Sequence, residues 1–159
     1  MWQNLIDTLD KLGTVYDDLI KLGEKKRSAL VNVDMQKLAE LLDEEKILVT
    51  KIQTLEQNRI KLFKDLSNPN KTESTTAKDF YRSAPSRVVE EKLNRLHERL
   101  VKNIQHALKL RDDNQIFAQC ALDAAQSKLN KIGGATIEPI YSGKGAGIVT
   151  HQKNFDFIA

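Results

Sequence analysis

The chain has 159 residues, which is room for one main domain with a modest core and none for two catalytic lobes. Charged residues make up 30% and hydrophobic ones 40%, while aromatics reach only 6%, a balance that suits long amphipathic helices and argues against a β-sandwich or barrel. Twenty-five Lys and Arg against 22 Asp and Glu leave +3 with the two signs interleaved, too weak a field to gather nucleic acid or an anionic membrane.

All three prolines (Pro69, Pro85, Pro139) and five of the seven glycines (Gly133, Gly134, Gly143, Gly145, Gly147) lie outside three long uninterrupted stretches. In the first stretch Leu5, Leu9, Leu12, Tyr16, Leu19, Gly23, Lys26 and Leu30 alternate steps of four and three, which keeps them on one seam of a helix. Gly13 and Gly23 weaken that helix but let a neighbour approach closely. Asn32-Val33-Asp34 makes a short break with Asp34 placed to cap the next helix, so the first two helices are expected to run antiparallel.

In the second stretch Leu38, Leu41, Glu45, Leu48, Ile52, Leu55, Arg59, Leu62 and Leu66 repeat the alternation, which stops before Ser67-Asn68-Pro69-Asn70. Residues 67–86, rich in Ser, Thr and Asn, read as a poorly ordered linker with one sticky point at Phe80-Tyr81. From Arg87 the seam Val89, Leu93, Leu96, Leu100, Asn103, Ala107, Leu110, Asn114, Phe117, Ala121, Ala124 predicts a third helix to 132, closed by Gly133-Gly134. Residues 1–132 are therefore expected to form one all-α domain, three long helices in an antiparallel coiled-coil-like bundle, followed by a Gly-rich flexible tail at 133–159.

The second helix spans roughly 50 Å and the third roughly 70 Å, so part of the third lacks cover. If the third helix starts near the end of the second, the uncovered part is about residues 118–132, where Ala118, Ala121, Leu122, Ala125, Leu129 and Ile132 still make an apolar stripe. The linker is long enough to carry the chain to the other end instead, and both directions stay open.

No catalytic or metal site emerges. His97-Glu98 opens like a zinc-protease motif, but Val101 stands where a second His is needed, and the pair reads as an accident of a charged helix. Cys120, the only cysteine, lies in an alanine-rich stretch and reads as a packing residue. A chain with one cysteine builds no internal disulfide, which suits a reducing cytoplasm. No signal peptide and no membrane span is evident, so a soluble protein is expected.

Gly143-Lys144-Gly145-Ala146-Gly147 neither follows a strand nor opens a helix, and reads as tail rather than phosphate loop. His106-Ala107-Leu108-Lys109 is similar to a histidine phosphotransfer module, except that Leu110 stands where those modules keep a small residue. Tyr141, bounded by Gly133-Gly134, Pro139 and Gly143, is a lone tail aromatic of the kind that anchors a segment to a partner.

The order of the elements and several local strings resemble the FlgN family of flagellar type III secretion chaperones. They are the helix from Leu5 to Leu30, Glu44-Glu45-Lys46, Leu55-Glu56-Gln57-Asn58-Arg59, Leu110-Arg111-Asp112-Asp113-Asn114-Gln115, and the Tyr-Gly tail Ile140-Tyr141-Ser142-Gly143-Lys144-Gly145. The tail ends with Phe155, Phe157 and Ile158, a more apolar close than a polar tail has. The resemblance implies a cytoplasmic protein, without enzymatic activity or cofactor, that binds the hook-associated junction proteins and escorts them to the export gate. On that reading Ile116, Phe117, Leu122, Ala125, Leu129 and Ile132 are the cargo-binding candidates, and Tyr141 is the export-gate contact. The competing expectation is a coiled-coil adaptor or homo-oligomer in which Asn103 and Asn114 set the register between two copies.

Overall fold

The computed structural model describes residues 1–67 and 76–133. Four helices account for nearly all of them: α1 (Trp2–Val31), α2 (Met35–Leu66), α3 (Ala77–Tyr81) and α4 (Arg87–Gly133), with no strand among the described residues. The three long helices pack as a bundle, as their seams predict, and α1 runs unbroken through Gly13 and Gly23. The turn between α1 and α2 takes the predicted form, with the Asp34 carboxylate accepting from the Lys37 N–H at 3.0 Å.

α1 is the shared neighbour of α2 and α4. It is accordingly the most buried helix, with Leu5, Leu9, Leu12 and Tyr16 fully covered on the predicted seam. Ile6, Gly13 and Ile20 on one flank of that seam and Thr8 and Leu22 on the other are buried too, a widening that a single seam does not foresee. A helix between two others needs a wide apolar surface; one at the edge does not. α2 illustrates the second case, since only Leu41, Ile52, Glu56 and Arg59 are buried on it.

The direction of the last helix, open in the sequence, is settled by side-chain contacts. Asn103 Nδ2 donates to the Gly13 carbonyl at 3.1 Å and Asn114 Nδ2 to the Gly23 carbonyl at 2.9 Å, so residue numbers rise together and α4 runs parallel to α1. Lys26 of α1 meets Glu45 of α2 at 2.7 Å across the hairpin, which makes α4 antiparallel to α2. The third long helix therefore starts beside the end of α2.

The linker departs from expectation. Residues 76–86 are ordered, and α3 is capped at its start by the Thr76 hydroxyl, which accepts from the Asp79 N–H at 3.3 Å. Tyr81 is fully buried, and Phe80 stacks between Phe63 at 4.4 Å and Trp2 at 5.4 Å between ring centroids. Two large rings supply enough apolar area to pin a short segment whose composition argues for disorder. The rest of the expected linker, 68–75, and the expected tail from 134 onward, Tyr141, Phe155 and Phe157 included, lie outside the described residues.

Candidate partner-binding site

The length mismatch between α4, with 47 residues, and α1, with 30, decides where the chain presents apolar surface. Counting onward from the Asn114 to Gly23 contact, the last residue of α1 lies level with about residue 122 of α4. About eleven residues of α4, roughly 16 Å, project beyond the hairpin.

On the covered part of α4, the core face carries Leu100, Ile104, Ala107, Leu110 and Asn114. Steps of three and four from Asn114 lead to Ala118, Ala121, Leu122, Ala125, Leu129 and Ile132. The stripe on the overhang is thus the core face continued past the point where its partners stop. Leu122 is 55%, Leu129 62% and Ile132 75% exposed, and Ala125 is exposed as well.

The six cargo candidates do not form one patch. Leu122, Ala125, Leu129 and Ile132 share the stripe. Phe117, 38% exposed, lies on its flank one helical turn from Asn114. Ile116, six positions before Leu122, falls on the opposite side of the helix, because six residues are well short of two turns. The nomination of Ile116 groups residues by nearness in sequence, and the helical period separates them.

Cys120 is exposed, contrary to the expectation of a packing role, because six residues past the buried Asn114 are well short of two turns and place it on the side of α4 turned away from the stripe. Asn103 and Asn114 are buried or half-buried and make their bonds to α1 within the chain. His106 and Lys109 face solvent, while Leu110 turns inward onto Gly23 rather than standing over His106.

A polar cluster at the opposite end of the bundle has no counterpart in the sequence reading. Glu56 and Arg59, 4% and 7% exposed, form a buried ion pair at 2.9 Å on α2. Arg59 lies over the Phe63 ring at 5.4 Å, and the Tyr81 hydroxyl meets His97 Nδ1 of α4 at 3.1 Å. Burial raises the Glu56 carboxyl above its usual range against the pull of Arg59. The Tyr81 hydroxyl is pushed up to about 12, chiefly by burial. His97 is lowered, first by burial and then by the charges of Arg59 and Lys78, with Glu98 opposing. His97, which reads in the sequence as an accidental neighbour of Glu98, is therefore a structural residue that holds α3 on the bundle. Its only forewarning in the sequence is Phe80-Tyr81, aromatics in an otherwise polar segment.

Among the described residues there is no group of three or more His, Cys, Asp or Glu able to hold a metal, and no helix is long and apolar enough to cross a membrane. The fold and the projecting stripe define a helical protein that offers one long amphipathic surface for another to cover. A family model described as FlgN protein matches residues 1–146, and the chain belongs to the FlgN family, the flagellar chaperones. No curated protein and no solved structure matches the chain significantly.

Proposed function

We propose that this chain is a cytoplasmic export chaperone without enzymatic activity that binds hook-associated junction proteins through the projecting end of α4. The observation that carries the reading is the continuation of the α4 core face, through Leu122, Ala125, Leu129 and Ile132, beyond the last residue of α1. Such a face suits an amphipathic helix whose own stripe lacks a partner before assembly, and covering both prevents premature association. Phe117 belongs at the margin of the site and Ile116 outside it. The competing adaptor reading loses support because Asn103 and Asn114 are engaged within the chain.

Delivery to the export gate is the second half of the proposal, and Tyr141 is the residue assigned to it on the family resemblance. A lone aromatic beyond the helical domain brings a large apolar area and one hydroxyl to a partner while ordering few residues.

Co-purification of the chain with the C-terminal segments of junction proteins tests the reading. The double substitution Leu129→Asp with Ile132→Asp places two charges in the interface and should abolish the complex while helicity is retained. A variant that still binds normally would move cargo off this surface. Tyr141→Ala should weaken binding to the gate's cytoplasmic domain and leave cargo binding alone; unchanged gate binding removes the assignment.

A further inference from the structure

The turn that closes the hairpin contains a residue poorly suited to its backbone. Val33 has φ 52, in the left-handed region, and is the only described non-glycine residue with positive φ. The turn is a Schellman close: the Asp34 N–H donates to the Ala29 carbonyl at 2.9 Å and the Val33 N–H to the Leu30 carbonyl at 3.2 Å. That position is ordinarily glycine or asparagine, because a Cβ crowds the backbone there and a β-branched side chain is the worst choice. Packing gives no compensation, since Val33 is 72% exposed.

Its neighbours are also apolar and open, Val31 at 56% and Met35 at 54% exposed. The hairpin end lies level with about residue 122 of α4 and on the side of α4 that α1 occupies, which is the side of the stripe. The turn therefore forms a step at the root of the overhang, on which Val31, Val33 and Met35 are exposed between the polar Asn32 and Asp34. A helix laid on the stripe continues the line of α1 and meets that step end-on.

We propose that Val33, with Val31 and Met35 beside it, is the floor on which the end of a partner's amphipathic helix rests when that helix lies along the exposed stripe of α4. This rests on the reading of the overhang as the cargo site and adds a second contact, a length and an orientation to it. The occupant is an amphipathic helical segment of an exported protein, and about three turns of it fit between the floor and the end of α4. Continuity of the stripe with the α1–α4 interface selects a helix in the place α1 vacates. The unfavourable backbone of Val33 is then explained by a side chain used in binding rather than in folding.

The test separates folding from binding, because glycine suits the Val33 backbone better than valine does. A peptide comprising the C-terminal amphipathic segment of a hook-associated junction protein is titrated into the full-length chain and into Val33→Gly, Val33→Asn and the double variant Leu129→Asp with Ile132→Asp. Both Val33 variants should melt at or above the wild-type temperature and bind the peptide about fivefold or more weakly. Affinities within about twofold of wild type in both Val33 variants, with binding lost in the double variant, overturn the floor and leave the overhang reading intact. Normal binding by the double variant, or none by the wild type, overturns the overhang reading and the floor together. A lower melting temperature in Val33→Gly makes Val33 a packing residue. A wild-type dimer without peptide that Val33→Gly disperses gives the floor to a second copy. Either result also overturns the proposal.

Discussion

Asn114 of α4 donates to the backbone carbonyl of Gly23 at 2.9 Å, while Leu110, one turn earlier on the same helix, covers the glycine itself. Asn103 repeats the bond to Gly13 at 3.1 Å and adds a second to Asp17 at 2.7 Å. Two glycines on one helix thus receive two asparagines of a parallel neighbour. The carbonyls stay accessible because no Cβ holds the helices apart. These clasps set the register of α4 on α1, and the register fixes how much of α4 projects.

The two glycines should respond differently to alanine. A Cβ at Gly23 meets the buried Leu110 at 2.6 Å from Cδ2 and 3.0 Å from Cγ, whereas one at Gly13 comes no nearer than 3.0 Å, to the Arg99 guanidinium, the half-exposed end of a long side chain that can shift. Alanine gains up to about 1 kcal/mol of helix propensity at either position. Gly23→Ala should nevertheless cost about 1–2 kcal/mol net through overpacking, and Gly13→Ala should fall within about 0.5 kcal/mol of wild type. Urea denaturation of the two variants checks the order; a more stable Gly23→Ala would mean that the helices can part at no cost.

Removing the aromatic pin should separate its polar and apolar parts. Tyr81→Phe keeps the fully buried ring and deletes the bond to His97 Nδ1, a loss of about 1 kcal/mol. Phe80→Ala empties the space between Trp2 and Phe63 and should cost about 2–4 kcal/mol. Limited proteolysis should then cut first within 76–86 in Phe80→Ala, and equal resistance in both variants would show that α3 is held elsewhere.

Acid should act on the bundle through His97. Its pKa is lowered in the folded state from 6.5, so the unfolded chain binds more protons just below that value. The contribution of neutral His97 is fully present above about pH 6.5 and is lost as the pH falls toward its folded pKa. Glu56 works in the opposite sense. Its folded pKa is raised, so its protonation favours the fold, and its contribution is lost as the pH rises through that raised value. The His97 part is therefore read as a difference: the melting temperature of His97→Gln should fall less than that of wild type between pH 7.5 and pH 6. Parallel curves would remove His97 from the balance.

The face assignment along the last part of α4 can be tested at constant exposure. Ile116 and Leu129 are each 62% exposed but lie on different sides of α4. Either change to Asp should alter stability by less than about 0.5 kcal/mol. Leu129→Asp alone should weaken cargo binding at least tenfold, and Ile116→Asp should leave it within about twofold. Equal losses would mean that the partner wraps the helix rather than lying on one stripe.

The sequence by itself determined the three long helices, their seams, the capped hairpin and a surplus of apolar surface at the end of the last helix. These follow from periodicity, capping chemistry and length, which act within a few turns of chain. The resemblance seen in the order of the elements likewise needed no coordinates. Only the tertiary structure decided that α1 lies between the other two and needs a buried surface wider than its seam, that α4 runs parallel to it, and that Ile116 stands apart from Leu122. It also decided what Phe80-Tyr81 is for, since a polar segment becomes ordered only when rings from Trp2, Phe63 and His97 are brought to it from three other helices. Glu56 and Arg59 carry the same lesson: an ordinary i, i+3 pair on a charged helix becomes a buried one where Arg59 lies over the Phe63 ring that also meets Phe80 and Tyr81 of the pinned segment. Which side of a helix meets a neighbour, and which neighbour, depends on contacts between residues as far as 91 positions apart, and no local pattern encodes those.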